Sequence, residues 1–162
     1  MPAVEHVTRS SFACGVEWMS DPRPLSELPQ RIWSEDDWQR IRSGYRSGDM
    51  DEKWDVFTED GVVFLHRSWT GLGIFEAAFA PAEGGGWRII GAMAERDPER
   101  YGGTDDHHDC LMIELVISTV VLGEPATGLR AEVAEGARRR RGRPDIPAGP
   151  YLHSVLGLRS GS

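Results

Sequence analysis

The sequence predicts one α+β domain: a four-stranded antiparallel β-meander with one helix before it and one buried helix after it. Four segments between residues 53 and 94 alternate apolar and polar side chains over short connections, which favours antiparallel pairing. A capped helical pattern precedes these segments, and a largely apolar one follows them. A chain of 162 residues is long enough for one domain with its own core.

The first 33 residues are predicted to form an irregular N-terminal arm. The stretch "DPRPLSELP" places three prolines in nine positions, which disfavours both helix and strand. Trp18, Leu25, Leu28 and Trp33 are large apolar residues within this arm. We therefore expect the arm to pack on the body, which is predicted to span residues 34–122.

The first helix is predicted to begin after Ser34, a residue type favoured at the N-cap. Trp38, Ile41 and Tyr45 then recur at the spacing of one helical face. Gly48 is the expected stop.

The strands follow as "KWDVFTE", "VVFLHRSW", "GIFEAAFA" and "WRIIGAMA". Asp60 and Gly61, between the first two, are a strong signal for a tight hairpin. Such a turn pairs residues whose numbers add up to 121, so Trp54 should lie opposite Arg67.

The second helix is predicted to be capped by Thr104 or Asp105 and to be buried across the sheet. Residues 111–122 are apolar almost all round. Gly123 and Pro125 are expected to end this helix.

The remaining residues, 123–162, are predicted to be an Arg/Gly/Pro-rich tail that is largely flexible. Residues 1–122 contain 22 acidic and 11 basic residues, whereas the tail contains 4 acidic residues and 7 arginines. An acidic body disfavours binding to nucleic acid, because such binding depends on neutralising phosphates. Arg138–Arg143 is the one stretch expected to contact nucleic acid or an acidic partner.

The chain is expected to be a cytoplasmic protein that does not enter a membrane. No apolar run reaches the length of a membrane span, and the N-terminus lacks the pattern of a signal peptide. Cys14 and Cys110 are expected to be free thiols, since their spacing fits neither a CxxC motif nor a disulfide framework. No P-loop, dinucleotide fingerprint or GxSxG motif is present, so no cofactor is predicted and the catalytic residues stay unassigned.

The candidate ligand-binding site lies where the second strand runs into a turn. Lys53 is the only lysine among 18 basic residues, and the hairpin register brings it opposite Ser68. Cations beside indole rings suit a phosphorylated ligand with an aromatic ring, since arginine binds phosphate in a forked geometry and tryptophan stacks. The predicted binding residues are Lys53, Trp54, His66, Arg67, Ser68, Trp69 and Thr70.

Two alternatives compete with this interpretation. Arg67 could instead serve the structure, stacked on Trp54 or paired with Asp55. The acidic segment "DDHHD" offers a second kind of site, because Asp105, His108 and Asp109 share one helical face and could bind a divalent metal ion. Capping of the helix explains the same acids without a metal.

Three stretches of the chain resemble a group of small bacterial proteins of unassigned activity. They carry an Asp-x-Lys-Trp motif (Asp51–Trp54), a His-Arg-Ser-Trp-Thr-Gly motif (His66–Gly71) and an Arg-Asp-Pro-x-x-Tyr motif (Arg96–Tyr101) before an acidic helix start. The resemblance covers roughly residues 34–122. It implies an association with ADP-ribose-processing domains and marks the motif positions, Asp105 and Asp109 included, without giving them roles.

Two functions are therefore expected. The first is a binding protein or enzyme for a small anionic ligand, with ADP-ribose or a nucleotide as the specific candidate. The alternative is an interaction or immunity protein whose acidic body binds a basic protein partner through electrostatic steering.

Overall fold

The computed structural model describes residues 16–48, 52–141, 152 and 155–157. Its strands are β1 (Pro22–Pro24), β2 (Trp54–Glu59), β3 (Val62–Arg67), β4 (Gly73–Pro81) and β5 (Trp87–Glu95). Its helices are α1 (Glu35–Ser43), α2 (Asp106–Val116), which continues as a π-helical turn over Ile117–Val121, and α3 (Thr127–Arg141). The strands form one antiparallel sheet in the order β1-β5-β4-β3-β2.

The α+β class is confirmed, but the predicted number of strands is wrong. Strands β2 to β5 form the expected meander, and β1 adds a fifth strand at the edge beside β5. The prolines of β1 led to the prediction of irregular structure there. Proline has no N–H to donate, but an edge strand tolerates it. Backbone bonds beside the prolines hold the pairing, from Leu25 N to Ala92 O and from Arg96 N to Asp21 O, each 3.0 Å long.

The β2–β3 hairpin has the register that the sequence predicts. Asp60 and Gly61 both adopt positive φ angles, 52° and 80°, as the tight turn requires. Trp54 pairs with Arg67, and both side chains lie on the sheet face that packs against α2. This register brings the residues of the candidate site together.

Helix α1 begins as predicted and ends earlier. The Ser34 side chain accepts a hydrogen bond of 3.0 Å from the Asp37 amide. The helix stops at Gly44, whose φ of 81° favours glycine, rather than at Gly48. Trp38 stacks on Phe79 with a centroid distance of 4.9 Å, and this contact anchors the helix to the sheet.

The described part of the N-terminal arm packs on the body. Trp33 is fully buried in the core. Glu95, at the end of β5, accepts hydrogen bonds from the amides of Ser20, Asp21 and Asp97 at 2.6, 2.8 and 3.0 Å. Burial alone would raise the pKa of Glu95, but these amide bonds outweigh it and lower the pKa, which fits an ionised carboxylate. One carboxylate thus joins the arm to the loop after β5.

Helix α2 begins at Asp105, whose side chain accepts hydrogen bonds from the amides of His107 and His108. This confirms one of the two predicted caps. The helix and its π-helical continuation are largely buried, and the chain turns away at Gly123 with a φ of 72°. Across the described residues, no helix combines the length and apolarity needed to cross a bilayer.

Helix α3 corrects the expected tail. The structure has a helix over Thr127–Arg141, where Val133, Ala134 and Ala137 are buried. This apolar strip is short and lies among arginines, so the sequence pattern did not indicate it. Ala137 is the first residue of the Arg-rich run. Leu156 is also buried, while most of residues 142–162 lie outside the described part of the chain.

We predict that α3 contributes to stability through this strip. Val133→Ala should lower the free energy of unfolding by about 2 kcal/mol, because two buried methyl groups are lost and a cavity remains. Arg139→Ala, at an exposed position of the same helix, should change it by less than about 0.5 kcal/mol. Urea denaturation measures both values, and equal effects would show that α3 is not docked.

Candidate anion-binding site

The centre of the site is the Arg67 side chain, at the end of β3. Its guanidinium carbon lies 4.5 Å from the centroid of the buried Trp54 ring. Trp54 is itself fixed, since its Nε1–H donates a hydrogen bond of 2.8 Å to Val155 O. This stacking of Arg67 on Trp54 is the contact that the structural alternative expected.

No carboxylate of the described part of the chain forms an ion pair with Arg67. Asp55, the partner considered from the sequence, instead accepts a hydrogen bond of 2.7 Å from the Ser47 amide. Burial lowers the pKa of Arg67, because the charged form loses hydration. The guanidinium is thus a half-buried cation whose charge is not balanced by these residues.

A second cation lies over a second indole nearby. The Lys53 Nζ atom is 4.3 Å from the centroid of the Trp69 ring, which is 61% exposed. A backbone hydrogen bond of 3.0 Å from Ser68 N to Lys53 O carries the hairpin pairing past β3, as predicted. Within the described ranges, no carboxylate pairs with Lys53.

These groups border an open groove of about 300 Å³. The residues that line it are Lys53, Arg67, Trp69, Thr70, Leu72 and Arg100. Three of them are cations, and none of these described lining residues is acidic, although the whole chain has a formal charge of −8. The groove therefore favours an anion.

Arg100 is only loosely paired. Its Nη1 atom lies 3.5 Å from a carboxylate oxygen of Glu17, and its Nε atom lies 3.9 Å from Asp97. The same Nη1 donates a hydrogen bond of 3.2 Å to Trp18 O. These contacts hold the side chain at the groove without forming a close ion pair.

A larger cavity of about 580 Å³ adjoins Arg67 on the face that packs against α2. Its lining combines an apolar floor with the loop between β5 and α2. The lining residues are Trp54, Arg67, Phe75, Arg100, Tyr101, Gly102, Gly103, Thr104, Asp105, His108, Met112 and Val155. Its size lies within the range of small-molecule sites.

The loop side of this cavity is fixed by a buried ion pair. Arg96 Nη1 lies 2.6 Å from the fully buried Asp109 carboxylate and donates a hydrogen bond of 3.1 Å to Gly103 O. The Tyr101 hydroxyl donates a hydrogen bond of 2.6 Å to Asp109. Burial raises the pKa of Tyr101, so the phenol keeps its proton.

His66 belongs to the sequence prediction but not to this site. It lies on the opposite sheet face, 1% exposed, with Phe57 and Trp18 at centroid distances of 5.2 and 6.0 Å. Its Nδ1 lies 2.8 Å from Gly71 O and must carry the proton, because a carbonyl only accepts. Burial lowers the pKa of His66, which favours the neutral ring.

The two predicted hydroxyl groups form hydrogen bonds with the backbone. Ser68 Oγ donates a hydrogen bond of 2.6 Å to Glu52 O and does not line either hollow. Thr70 Oγ1 accepts a bond of 3.3 Å from Leu72 N while its side chain borders the groove. The structure therefore brings Lys53, Trp54, Arg67, Trp69 and Thr70 together, and it does not bring His66 or Ser68 with them.

Both acids of the metal alternative have other partners. Asp105 caps α2, and Asp109 is occupied by Arg96 and Tyr101. Among the described residues, no group of three histidine, cysteine or acidic side chains has a geometry that could hold a metal ion.

Sequence reasoning marked Tyr101 only as a motif position and Thr104 only as a possible cap, and the loop that carries them and Arg100 was not predicted to border the site. A usable signal was present, since Gly102 and Gly103 lie between a strand and a capped helix. Glycines at that position let a ligand approach the backbone closely.

Comparison with known proteins gives no relative: no family model matches the chain, and no curated protein or solved structure is significantly similar to it. The resemblance to the small bacterial group stays a prediction.

We predict different effects for two half-buried arginines. Arg67→Met should leave the free energy of unfolding within about 0.5 kcal/mol of the wild-type value or raise it, because it removes a poorly hydrated, unbalanced charge. Arg96→Met should lower it by about 3–5 kcal/mol, because Asp109 would be left buried without its ion pair. Chemical denaturation measures both, and a large loss for Arg67→Met would show that this side chain is structural.

Proposed function

We propose that the protein binds a phosphorylated small molecule with an aromatic ring, a nucleotide or ADP-ribose, in the groove beside Arg67. The observation that carries the proposal is the half-buried Arg67 guanidinium without an ion-pair partner among the described residues. No residue of the groove is assigned a part in a reaction.

An unbalanced cation supports an anionic ligand on energetic grounds. Dehydrating a charge is costly unless an opposite charge compensates it. A phosphate would supply that charge and accept two parallel N–H bonds from the planar guanidinium. Lys53 and Arg100 border the same groove and would add to the attraction.

The exposed Trp69 ring supports an aromatic group on the ligand. Its 61% exposure is high for a tryptophan, and the ring borders the groove with Lys53 Nζ 4.3 Å from its centroid. The exposed part of the indole offers an aromatic surface on which a base can stack. Stacking of one base on an aromatic side chain contributes about 1–3 kcal/mol.

We predict that ADP binds and that its affinity depends on both groups. Arg67→Met should weaken binding about 10- to 150-fold, the equivalent of a hydrogen bond to a charged group. Trp69→Ala should weaken it by at least about fivefold. Isothermal titration calorimetry at low ionic strength measures these constants, with adenosine as the ligand that lacks phosphate.

Arg88→Met is the matched control. Arg88 is an exposed arginine at the start of β5, whereas Arg100 of the groove lies in the loop after the end of β5. Loss of Arg88 therefore changes the net charge by the same amount as loss of Arg67, without changing a groove residue. ADP affinity that is equal in Arg67→Met and Arg88→Met would contradict the proposed site. If neither ADP nor ADP-ribose binds the wild-type protein, a basic protein partner becomes the better hypothesis.

A further inference from the structure

The groove and the larger cavity share two lining residues, Arg67 and Arg100. Each hollow is bordered by the same two arginines, so a ligand anion held by them would have space on both sides. We infer that the ligand spans both hollows: its phosphates lie at Arg67 and Arg100, its aromatic ring lies in the groove, and a neutral, hydroxyl-bearing group enters the cavity. This inference rests on the proposed function.

The lining of the cavity selects the group that would enter it. Asp105, which caps α2, is an acidic residue of the cavity lining, whereas the described lining of the groove has no acid. A carboxylate repels a further phosphate but accepts hydrogen bonds from hydroxyl groups. Thr104 and His108 add further polar groups, and a sugar therefore fits this lining better than a terminal phosphate does.

The cavity floor is apolar and aromatic. Trp54, Phe75 and Met112 form it, and all three are almost fully buried. Sugar rings present C–H faces as well as hydroxyl groups, so a floor of this kind beside a polar rim matches both. A phosphate has no apolar face, so it could interact favourably only with the polar rim.

The loop wall has a fixed shape before any ligand binds. A Cβ atom added to Gly103 would lie 2.5 Å from the Tyr101 ring, so the glycine permits this close contact. Arg96 donates a hydrogen bond to Gly103 O, and Asp109 accepts one from the Tyr101 hydroxyl. Arg96 and Asp109 also form an ion pair with each other. A wall held in this way retains the cavity at little ordering cost on binding.

Three adenine ligands separate the possible occupants of the cavity. ADP-ribose adds a neutral sugar to the terminal phosphate of ADP, and ATP adds another phosphate at the same place. We expect ADP-ribose to bind the wild-type protein at least about tenfold more tightly than ADP, and ATP to gain no such increment. Isothermal titration calorimetry measures all three constants.

Two substitutions test the location of the sugar. Thr104→Trp should fill the rim of the cavity and remove the increment of ADP-ribose over ADP, whereas Glu99→Trp, in the same loop outside the lining, should retain it. Asp105→Asn keeps a residue that caps about as well as aspartate, and should weaken ADP-ribose severalfold while leaving ADP unchanged. Unchanged ADP affinity also shows that each variant is folded.

The outcomes distinguish this inference from the proposed function. If ADP binds through Arg67 but ADP-ribose binds no more tightly, or if Thr104→Trp does not reduce the increment, the spanning ligand is wrong and the groove site stands. If ATP binds most tightly and Asp105→Asn strengthens it further, the cavity takes an anion and the inference is overturned. If no adenine ligand binds, both proposals fail.

Discussion

The unbalanced charge of Arg67 is the constraint on which the account depends. Two other arginines of the described structure have carboxylate partners, unlike Arg67. Arg96 forms ion pairs with Asp106 and Asp109, and Arg31 pairs with Glu124 in a forked geometry. Arg67 has an indole ring beneath it instead of a carboxylate. The attraction of a ring for a cation is weaker than that of a buried carboxylate, so the guanidinium keeps its capacity to bind an anion.

Charged residues elsewhere in the structure have partners of their own, and these contacts hold the chain around the site in place. Glu95 and Arg96 are consecutive residues at the end of β5, and each one fixes a different segment of the chain. Glu95 fixes the arm through backbone amides, while Arg96 fixes the loop through Asp109 and Gly103. Lys53 and Arg67, which have no ion-pair partner among the described residues, border the same groove. A rigid frame around unpaired charges is the arrangement that binding sites require.

The parts of the site set by local rules could be predicted from the sequence. The Asp60–Gly61 turn fixed the hairpin register and so brought Trp54 opposite Arg67. The same alternation puts His66 and Arg67 on opposite faces of the sheet, so these neighbours in sequence cannot share one site. What could not be predicted depends on distant contacts. The approach of Arg100 follows from packing of the β5–α2 loop, β1 pairs with β5 despite its prolines, and α3 buries only three small apolar residues in an arginine-rich segment.

The most direct test of the central claim is the nuclear magnetic resonance signal of the Arg67 side chain during a titration with ADP-ribose. Arginine labelled with ¹⁵N gives Nε–Hε signals, and the signal that is missing in Arg67→Met identifies Arg67. The account predicts that this signal shifts and saturates together with ligand binding, because a phosphate becomes the partner that the described structure lacks. If the ligand binds and the Arg67 signal stays unchanged, the guanidinium does not hold the anion and the account is contradicted.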